Sequence, residues 1–394
     1  MIIDNLFKKI LKKGHLVWIK PNGLDFEYGD KTGTPIKMRT TNDFSEIKMM
    51  INPSLHFGES YMNGSLILEE GNIHDLLKLI FINSGSSTDH WVMKIDKIIR
   101  AIRNKIVSSN YIVKSKNNVA HHYDLSDKLY DLFLDKDRQY SCAYFNSPND
   151  TLEQAQMNKK ELIAKKLLLE DDQNVLDIGS GWGGMASYLS KRSNVNVKGV
   201  TLSEEQFSFS KQRKINESLD KVEYALQDYR NVEESYDRIV SVGMFEHVGT
   251  PHYQEFFNKV YELLNQKGVA LIHTIGRIDQ PTTNDAWIEK YIFPGGYIPA
   301  LSEVMQRVEK SGLITTDIQV LKFHYAETLK RWRYNFYDNL DKVKELYDEK
   351  FCRMWDFYLS SSQASFEEST LVIYQLQLSK DKKTVPDSRD YLLV

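Results

Sequence analysis

The run Val175-Leu176-Asp177-Ile178-Gly179-Ser180-Gly181-Trp182-Gly183-Gly184 narrows the fold more than any other segment of the chain. An apolar strand that ends in closely spaced glycines lets the backbone turn sharply and approach a ligand, with a helix following. The run opens an alternation. Strands are predicted over Asn174 to Ile178, Val197 to Leu202, Val222 to Leu226, Arg238 to Val242 and Val269 to Ile275, and helices over Met185 to Lys191, Glu204 to Leu219 and Tyr253 to Leu264. Such βα repetition builds a mostly parallel sheet, hence an α/β fold whose ligands sit at the strand ends. A helix over Glu303 to Lys310, a strand near Ile318 to Phe323, a long helical insertion and a last strand over Thr370 to Leu378 complete the pattern. The G-x-G-x-G spacing is shorter than the dinucleotide fingerprint, so it reads either as a nucleotide-like cofactor loop or as a plain strand-to-helix turn.

The chain of 394 residues has room for two or three domains. Residues 14 to 90 alternate differently, with strands around Leu16 to Ile19 and Ile36 to Met38 and a helix over Ile73 to Ile82, as expected of a small α+β domain. Ser84-Gly85-Ser86-Ser87-Thr88 punctuates its end. The expected organisation is therefore a domain over 1–90, a basic helical linker over 91–120 and the α/β domain over 121–394. Ile2, Ile3, Leu6, Phe7, Ile10 and Leu11 recur at helical spacing opposite Lys8, Lys9, Lys12 and Lys13. That helix either lies on an anionic membrane surface or packs on its own domain. Between Trp91 and Ala120 seven basic residues face one acid, Asp96, which adds weight to a membrane contact at about 1 kcal/mol per cation.

Lys plus Arg number 51 and Asp plus Glu 54, a net charge of −3, which lacks the basic excess of a nucleic-acid binder. The two cysteines, Cys142 and Cys352, are too few for a disulfide framework and lack C-x-x-C spacing for zinc, so no metal and a reducing compartment are expected. No signal-peptide pattern and no 18-residue apolar run occurs, so the expected location is cytoplasmic.

Ser203 to Gln206 has the spacing of a helix capping box and lies where a cofactor would meet the second strand; the two readings are compatible. Gln227-Asp228-Tyr229 offers a carboxylate and a ring to frame an adenine. Glu246 either caps the next helix or carries chemistry, and His273, inside Ala270 to Ile275, either is a satisfied core histidine or faces a site.

Five ordered motifs carry a resemblance: Tyr140-Ser141-Cys142-Ala143-Tyr144-Phe145, Asp177 to Gly184, Gly199-Val200-Thr201-Leu202-Ser203, Gly243-Met244-Phe245-Glu246-His247-Val248-Gly249 and Tyr291-Ile292-Phe293-Pro294-Gly295-Gly296. From roughly residue 115 onward the chain resembles the cyclopropane-fatty-acyl-phospholipid synthase family, which includes the mycolic acid cyclopropane synthases. Phe57 to Gly64 resembles the N-terminal domain of its full-length bacterial members. The resemblance implies a class I S-adenosylmethionine-dependent methyltransferase fold, Rossmann-like. It implies a reaction that adds a methylene carbon from S-adenosylmethionine across a cis double bond of an unsaturated phospholipid chain, by methyl transfer, a carbocation and loss of a proton. The implied base is a bound bicarbonate ion held by Cys142, Glu246, His273, Ile275 and Tyr325. The implied cofactor contacts are Tyr140, Ser141, Gly179, Gly181, Gly183, Thr201, Leu202, Gln206 and Tyr229. A membrane phospholipid substrate, a peripheral position on the inner membrane face and a homodimer follow from the same resemblance.

The residue types suit that chemistry. An alkene is a poor nucleophile, so close alignment with the sulfonium methyl is needed and water must be kept from the resulting cation. His273 and Tyr325 can donate to anionic oxygens, and an ionised Glu246 can accept the hydroxyl of bicarbonate. The insertion from Asp279 to Pro299, with Trp287, Tyr291, Phe293 and Tyr297, is expected to form part of a lipid tunnel or a lid packed on its own core. Three departures stand out. Ser362 replaces a cysteine common in bacterial members, which excludes a thiol role there; Asp127 replaces a commoner asparagine, with little expected consequence; and Tyr229 stands where some relatives have tryptophan. A lipid methyltransferase that leaves the chain unclosed, a small-amine N-methyltransferase and a lipid carrier without activity are the competing readings.

Overall fold

The computed structural model describes residues 2–84 and 125–393. The N-terminal segment forms a four-stranded sheet of β1 (Leu16–Ile19), β2 (Asp25–Tyr28), β3 (Ile36–Thr40) and β4 (Leu66–Glu70) in the order β2-β1-β3-β4, with β1 and β3 parallel. Strands β2 and β4 are short and carry acidic residues, and their periodicity is too brief to mark them in the sequence. The helix Ile2–Ile10 lies against this sheet. Ile3 is buried, Phe7 meets the rings of Trp18 and Tyr28 edge-on at 5.6 and 5.4 Å, and the Tyr28 hydroxyl donates to buried Asp4 at 2.7 Å. Of the two sequence readings for this helix, packing on its own domain is the one observed, because its apolar stripe completes the core under β1 and β2. The expected basic linker lies outside the described residues.

The chain divides into two compact units, and the division does not follow the sequence order. Thr282–Pro294 and Ala326–Thr370 join the N-terminal segment in the first unit, so the stretch expected to form one catalytic domain over 121–394 supplies pieces to both. Burial of aromatic side chains explains this. Trp287, fully buried on the helix Ala286–Tyr291, packs edge-on to Phe357 of the helix Glu349–Glu368 at 4.5 Å, and Phe357 meets Phe57 at 6.1 Å. This part of the insertion is therefore packed into the first unit's core, while Tyr297 belongs to the second unit. Cys352, on the same helix as Phe357, is buried, in keeping with a packing role.

Buried Asp356 accepts from the hydroxyls of Tyr61 and Tyr337 at 2.7 Å each and of Ser360 at 3.0 Å. Removing the acceptor strands the buried Ser360 hydroxyl and takes a partner from the partly buried Tyr61 hydroxyl and the more exposed Tyr337. Asp356→Ala is expected to destabilise the first unit by about 1–3 kcal/mol, seen as faster amide hydrogen exchange in the helices Pro53–Met62 and Glu349–Glu368.

The second unit holds β5 (Asn174–Ile178), β6 (Asn196–Thr201), β7 (Val222–Leu226), β8 (Tyr236–Val242), β9 (Leu264–Arg277), β10 (Ile314–Leu321) and β11 (Leu371–Ser379). Their order is β10-β11-β9-β8-β5-β6-β7; β5 to β9 run parallel, and β11 lies antiparallel between β9 and β10. This is the expected mostly parallel α/β sheet, with the crossover from β5 placing the topological switch point beside the glycine loop. Two boundaries differ from the periodicity. β9 begins at Leu264, where a helix end was predicted, because Leu264 pairs with Tyr236 ahead of a register shift; β10 begins at Ile314, ahead of the predicted strand. Among the described residues no helix is long and apolar enough to cross a membrane.

Candidate active site

The glycine loop leaves β5 and enters the helix Gly184–Ser193. Gly179 has φ +81°, and a Cβ there would stand 2.7 Å from Met244 Cβ, a separation real side chains do not adopt. Gly181 has φ +54° with open space around the position of a Cβ. Gly183 caps the helix at φ +82° and accepts from the Tyr224 hydroxyl at 2.9 Å.

These turns open a cleft at the carboxyl ends of β5, β6 and β8. Tyr140, Ser141, Gly179, Gly181, Thr201, Leu202, Gln206 and Tyr229 line it, together with Asp177, Asp228, Met244 and His247. Gly183 is not among the lining residues. At Ser203 the serine half of the capping box forms, with Oγ accepting from the Gln206 N–H at 3.2 Å. The reciprocal half does not. The Gln206 side-chain oxygen accepts from Thr201 Oγ1 at 2.9 Å, and the Ser203 N–H donates to that same Thr201 oxygen at 3.2 Å. Capping thus locks Gln206 and Thr201 together at the cleft wall. Asp228 chelates the guanidinium of Arg230 at 2.7 and 2.9 Å, and Tyr229 meets Phe256 edge-on at 5.4 Å.

Two buried ionisable groups, Asp177 in the cleft wall and Lys159 behind it, stand out. Asp177 is 1% exposed, its Oδ2 has no hydrogen-bond partner among the described residues, and burial pushes its carboxyl up to about 7, with nearby Lys159 pulling the other way. Lys159, wholly buried on the helix Leu152–Leu167, donates to Gln139 Oε1 at 2.8 Å and Ser141 Oγ at 2.7 Å. Burial draws its amine down to about 8 against the pull of Asp135. Sequence periodicity missed Lys159 because a lysine on a polar helix reads as solvated. Asp127 also has more to do than its position suggested: it accepts from Trp182 Nε1 at 3.2 Å and pairs with Arg138 at 3.1 Å. An asparagine there keeps an acceptor and loses the ion pair.

A second cluster forms where β8 meets β9. Glu246 sits in a 3-10 turn, Phe245–His247, and its Oε1 accepts from the Ile275 N–H at 2.5 Å. His273 and Ile275, two apart on β9, share one face. His273 Nδ1 lies 3.1 Å from Gln375 Nε2 on β11. Glu246 Oε2 and His273 Nε2 are both buried without a hydrogen-bond partner among the described residues. Burial raises the Glu246 carboxyl above the ordinary range, partly offset by the Ile275 bond, and drives His273 well below its usual value, helped by Lys159 and Lys166, so the imidazole is neutral. The structure therefore joins Glu246, His273 and Ile275. Cys142, buried with Sγ 3.2 Å from the Ala143 carbonyl, and Tyr325, buried in the first turn of the helix His324–Asp338, come from two other segments. None of these five lines the cleft. Gln375, buried in the run Leu371 to Ser379, escaped notice; a glutamine in an apolar strand is a visible oddity, but its partner lies about a hundred residues away in sequence.

Residues 112–376 match the family model for mycolic acid cyclopropane synthetase, and residues 3–90 match a domain of unknown function. The chain is 40% identical over 259 residues to cyclopropane-fatty-acyl-phospholipid synthase of Escherichia coli strain K12, covering 66% of each chain. It is 37% identical over 266 residues to a probable fatty acid methyltransferase of Pseudomonas putida, covering 66% of this chain and 68% of that protein. It thus spans about two thirds of the length of these curated relatives. Among solved structures, mycolic acid cyclopropane synthase CmaA1 complexed with SAH and CTAB matches with a TM-score of 0.63 at 33% identity, over 67% of this chain and 97% of that one. The glycine-loop cleft, the single reversed strand β11 and a family match that spans six strands of the large sheet and reaches into the seventh lead to one conclusion: the chain belongs to the mycolic acid cyclopropane synthetase family of S-adenosylmethionine-dependent methyltransferases.

Proposed function

We propose that the protein transfers a methylene carbon from S-adenosylmethionine to the cis double bond of an unsaturated phospholipid acyl chain, closing a cyclopropane ring. The observation that carries this reading is the pair of buried polar atoms without a hydrogen-bond partner among the described residues, Glu246 Oε2 and His273 Nε2, on elements next to the cleft. One is an acceptor when Glu246 is ionised, and the other is a donor when Nδ1 is engaged as an acceptor. That donor set fits a small anion bearing one hydroxyl. A bicarbonate ion held there would supply the base for the proton lost at ring closure. Glu246 and the His273 N–H orient it, the Ile275 N–H fixes the Glu246 carboxylate, and Cys142 and Tyr325 complete the proposed set. In the cleft, Tyr140, Ser141, Gly179, Gly181, Thr201, Leu202, Gln206 and Tyr229 would cradle the cofactor, with Gly183 shaping the helix start behind it. Under this reading the protein works as a peripheral homodimer on the cytoplasmic membrane face.

The similarity to a probable fatty acid methyltransferase favours a second product, a methylated chain without ring closure, which needs only a different fate for the same carbocation. The experiment is incubation of the protein with unsaturated phospholipid vesicles, S-adenosylmethionine and bicarbonate. Mass spectrometry reads the gain of one CH₂, and NMR distinguishes ring protons from a methyl branch. Ring signals support the synthase, a methyl branch supports the second product, and unmodified lipid despite cofactor binding sinks both.

Cofactor binding should also depend on pH through Asp177. Its raised value means a neutral acid below about 7 and a carboxylate above it. A cationic cofactor favours the charged form, so affinity should rise by about tenfold between pH 6 and pH 8, roughly the worth of one hydrogen bond to a charged group. Calorimetric titration across that range checks this; Asp177→Asn should bind more weakly and flatten the profile.

A further inference from the structure

We propose that Gln375 is a positioning residue that holds His273 in the tautomer protonated at Nε2, so that a hydrogen-bond donor faces the buried anion position beside Glu246. The inference rests on the proposed function for its consequence, though not for its geometry. In the antiparallel β9–β11 ladder Gln375 stands directly opposite His273, and the two are 0% and 2% exposed. The contact is between Gln375 Nε2 and His273 Nδ1 at 3.1 Å. An amide nitrogen can only donate, so Nδ1 is the acceptor and the ring proton of the neutral imidazole resides on Nε2.

The neighbouring glutamine shows why this contact stands apart from ordinary core packing. Gln377, two residues along the same face, has both ends of its amide engaged by the fold: Nε2 donates to the Lys166 carbonyl at 2.6 Å, and Oε1 accepts from Thr316 Oγ1 at 2.9 Å. Gln375 makes one such bond, to His273, and its Oε1 has no partner among the described residues. A buried amide satisfied only at a histidine is costly for stability alone. What it sets is the histidine. The reverse amide orientation would put a proton on Nδ1 and leave the buried, unpartnered Nε2 an acceptor, unable to donate to an anion held at the proposed site. Burial together with Lys159 and Lys166 leaves the ring neutral, so the tautomer is the variable that Gln375 controls. A wrong tautomer at a correctly placed histidine is expensive in enzymes generally.

The test is ¹⁵N NMR of the intact histidine-labelled protein, with His273→Asn identifying the resonance, beside product formation and cofactor affinity. Wild type should show the Nε2–H tautomer. Gln375→Glu, whose carboxylate accepts from Nδ1–H, should switch it and lower the product rate by about 10- to 100-fold, with cofactor affinity within about twofold, since Gln375 lies outside the cleft. Gln375→Leu, close in volume and without a donor, should show mixed tautomers and decides the matter if the glutamate variant does not fold. An Nδ1–H tautomer in wild type overturns the proposal. So does a Gln375→Leu protein that keeps a single Nε2–H form and full activity. If wild-type protein leaves phospholipids unmodified, the proposed function fails while the tautomer readout still decides the role of Gln375.

Discussion

Glu246→Gln should abolish ring formation, a loss of at least about 100-fold, while cofactor affinity stays near that of the wild type. The glutamine side chain keeps an oxygen for the Ile275 N–H, so the backbone bond that anchors residue 246 survives. What changes is the second atom. Glu246 Oε2 is a buried acceptor without a hydrogen-bond partner among the described residues, and in the variant an N–H₂ donor takes its place. Two donors can hold a fully deprotonated anion but cannot accept the hydroxyl of bicarbonate, so the proton balance of the site is lost. Glu246→Ala is a poorer test because it also strands the Ile275 N–H in a buried position. Lipid NMR reads the product and calorimetry reads cofactor binding. A Glu246→Gln protein with undiminished ring formation would remove Glu246 from the proposed mechanism, and one that also loses the cofactor would show that the two sites are not separable.

That separability was only partly visible in the amino-acid order. The βα alternation announces the sheet because each of β5 to β8 is a short run rich in apolar and β-branched residues, broken only by single or paired polar side chains, between helical stretches. The strands that escaped, β2 and β4, are short and carry exposed acids, so neither period nor composition marks them. The proposed cofactor side of the site is local: Gly179, Gly181, Thr201, Leu202 and Gln206 lie at or just beyond strand ends within the same two βα units, and such units carry their own signature. The buried polar layer is not local. Lys159 reads as a solvated lysine on its helix, yet it is wholly enclosed between Gln139 and Ser141. Gln375 becomes meaningful only once the antiparallel pairing of β11 sets it across from His273. The split of residues 121–394 between two units follows from aromatic burial by Trp287 and Phe357, a tertiary choice that helical periodicity does not encode.

A pair of loop substitutions separates what the glycines do for the fold from what they do for the ligand. Gly179→Ala is expected to destabilise the protein before any cofactor is added. Its φ of +81° is unfavourable for an L-residue, and the new Cβ would stand 2.7 Å from Met244 Cβ, a backbone-anchored atom that cannot swing away. Strain and overlap each cost about 1–3 kcal/mol, so the denaturation midpoint should fall clearly and cofactor affinity should drop with it as the loop shifts. Gly181→Ala meets nothing within 4 Å, and its φ of +54° lies in the left-handed helical region, at a cost of about 1–2 kcal/mol. Stability should fall less than in Gly179→Ala. Yet Gly181 lines the cleft, so the open space its methyl would enter is space the cofactor would use, and affinity should fall by at least about tenfold, or 1.4 kcal/mol. Unliganded denaturation and cofactor titration on the same two variants give the contrast. A Gly181→Ala protein that binds S-adenosylmethionine as tightly as wild type would take Gly181 out of the cradle and move the cofactor away from the loop.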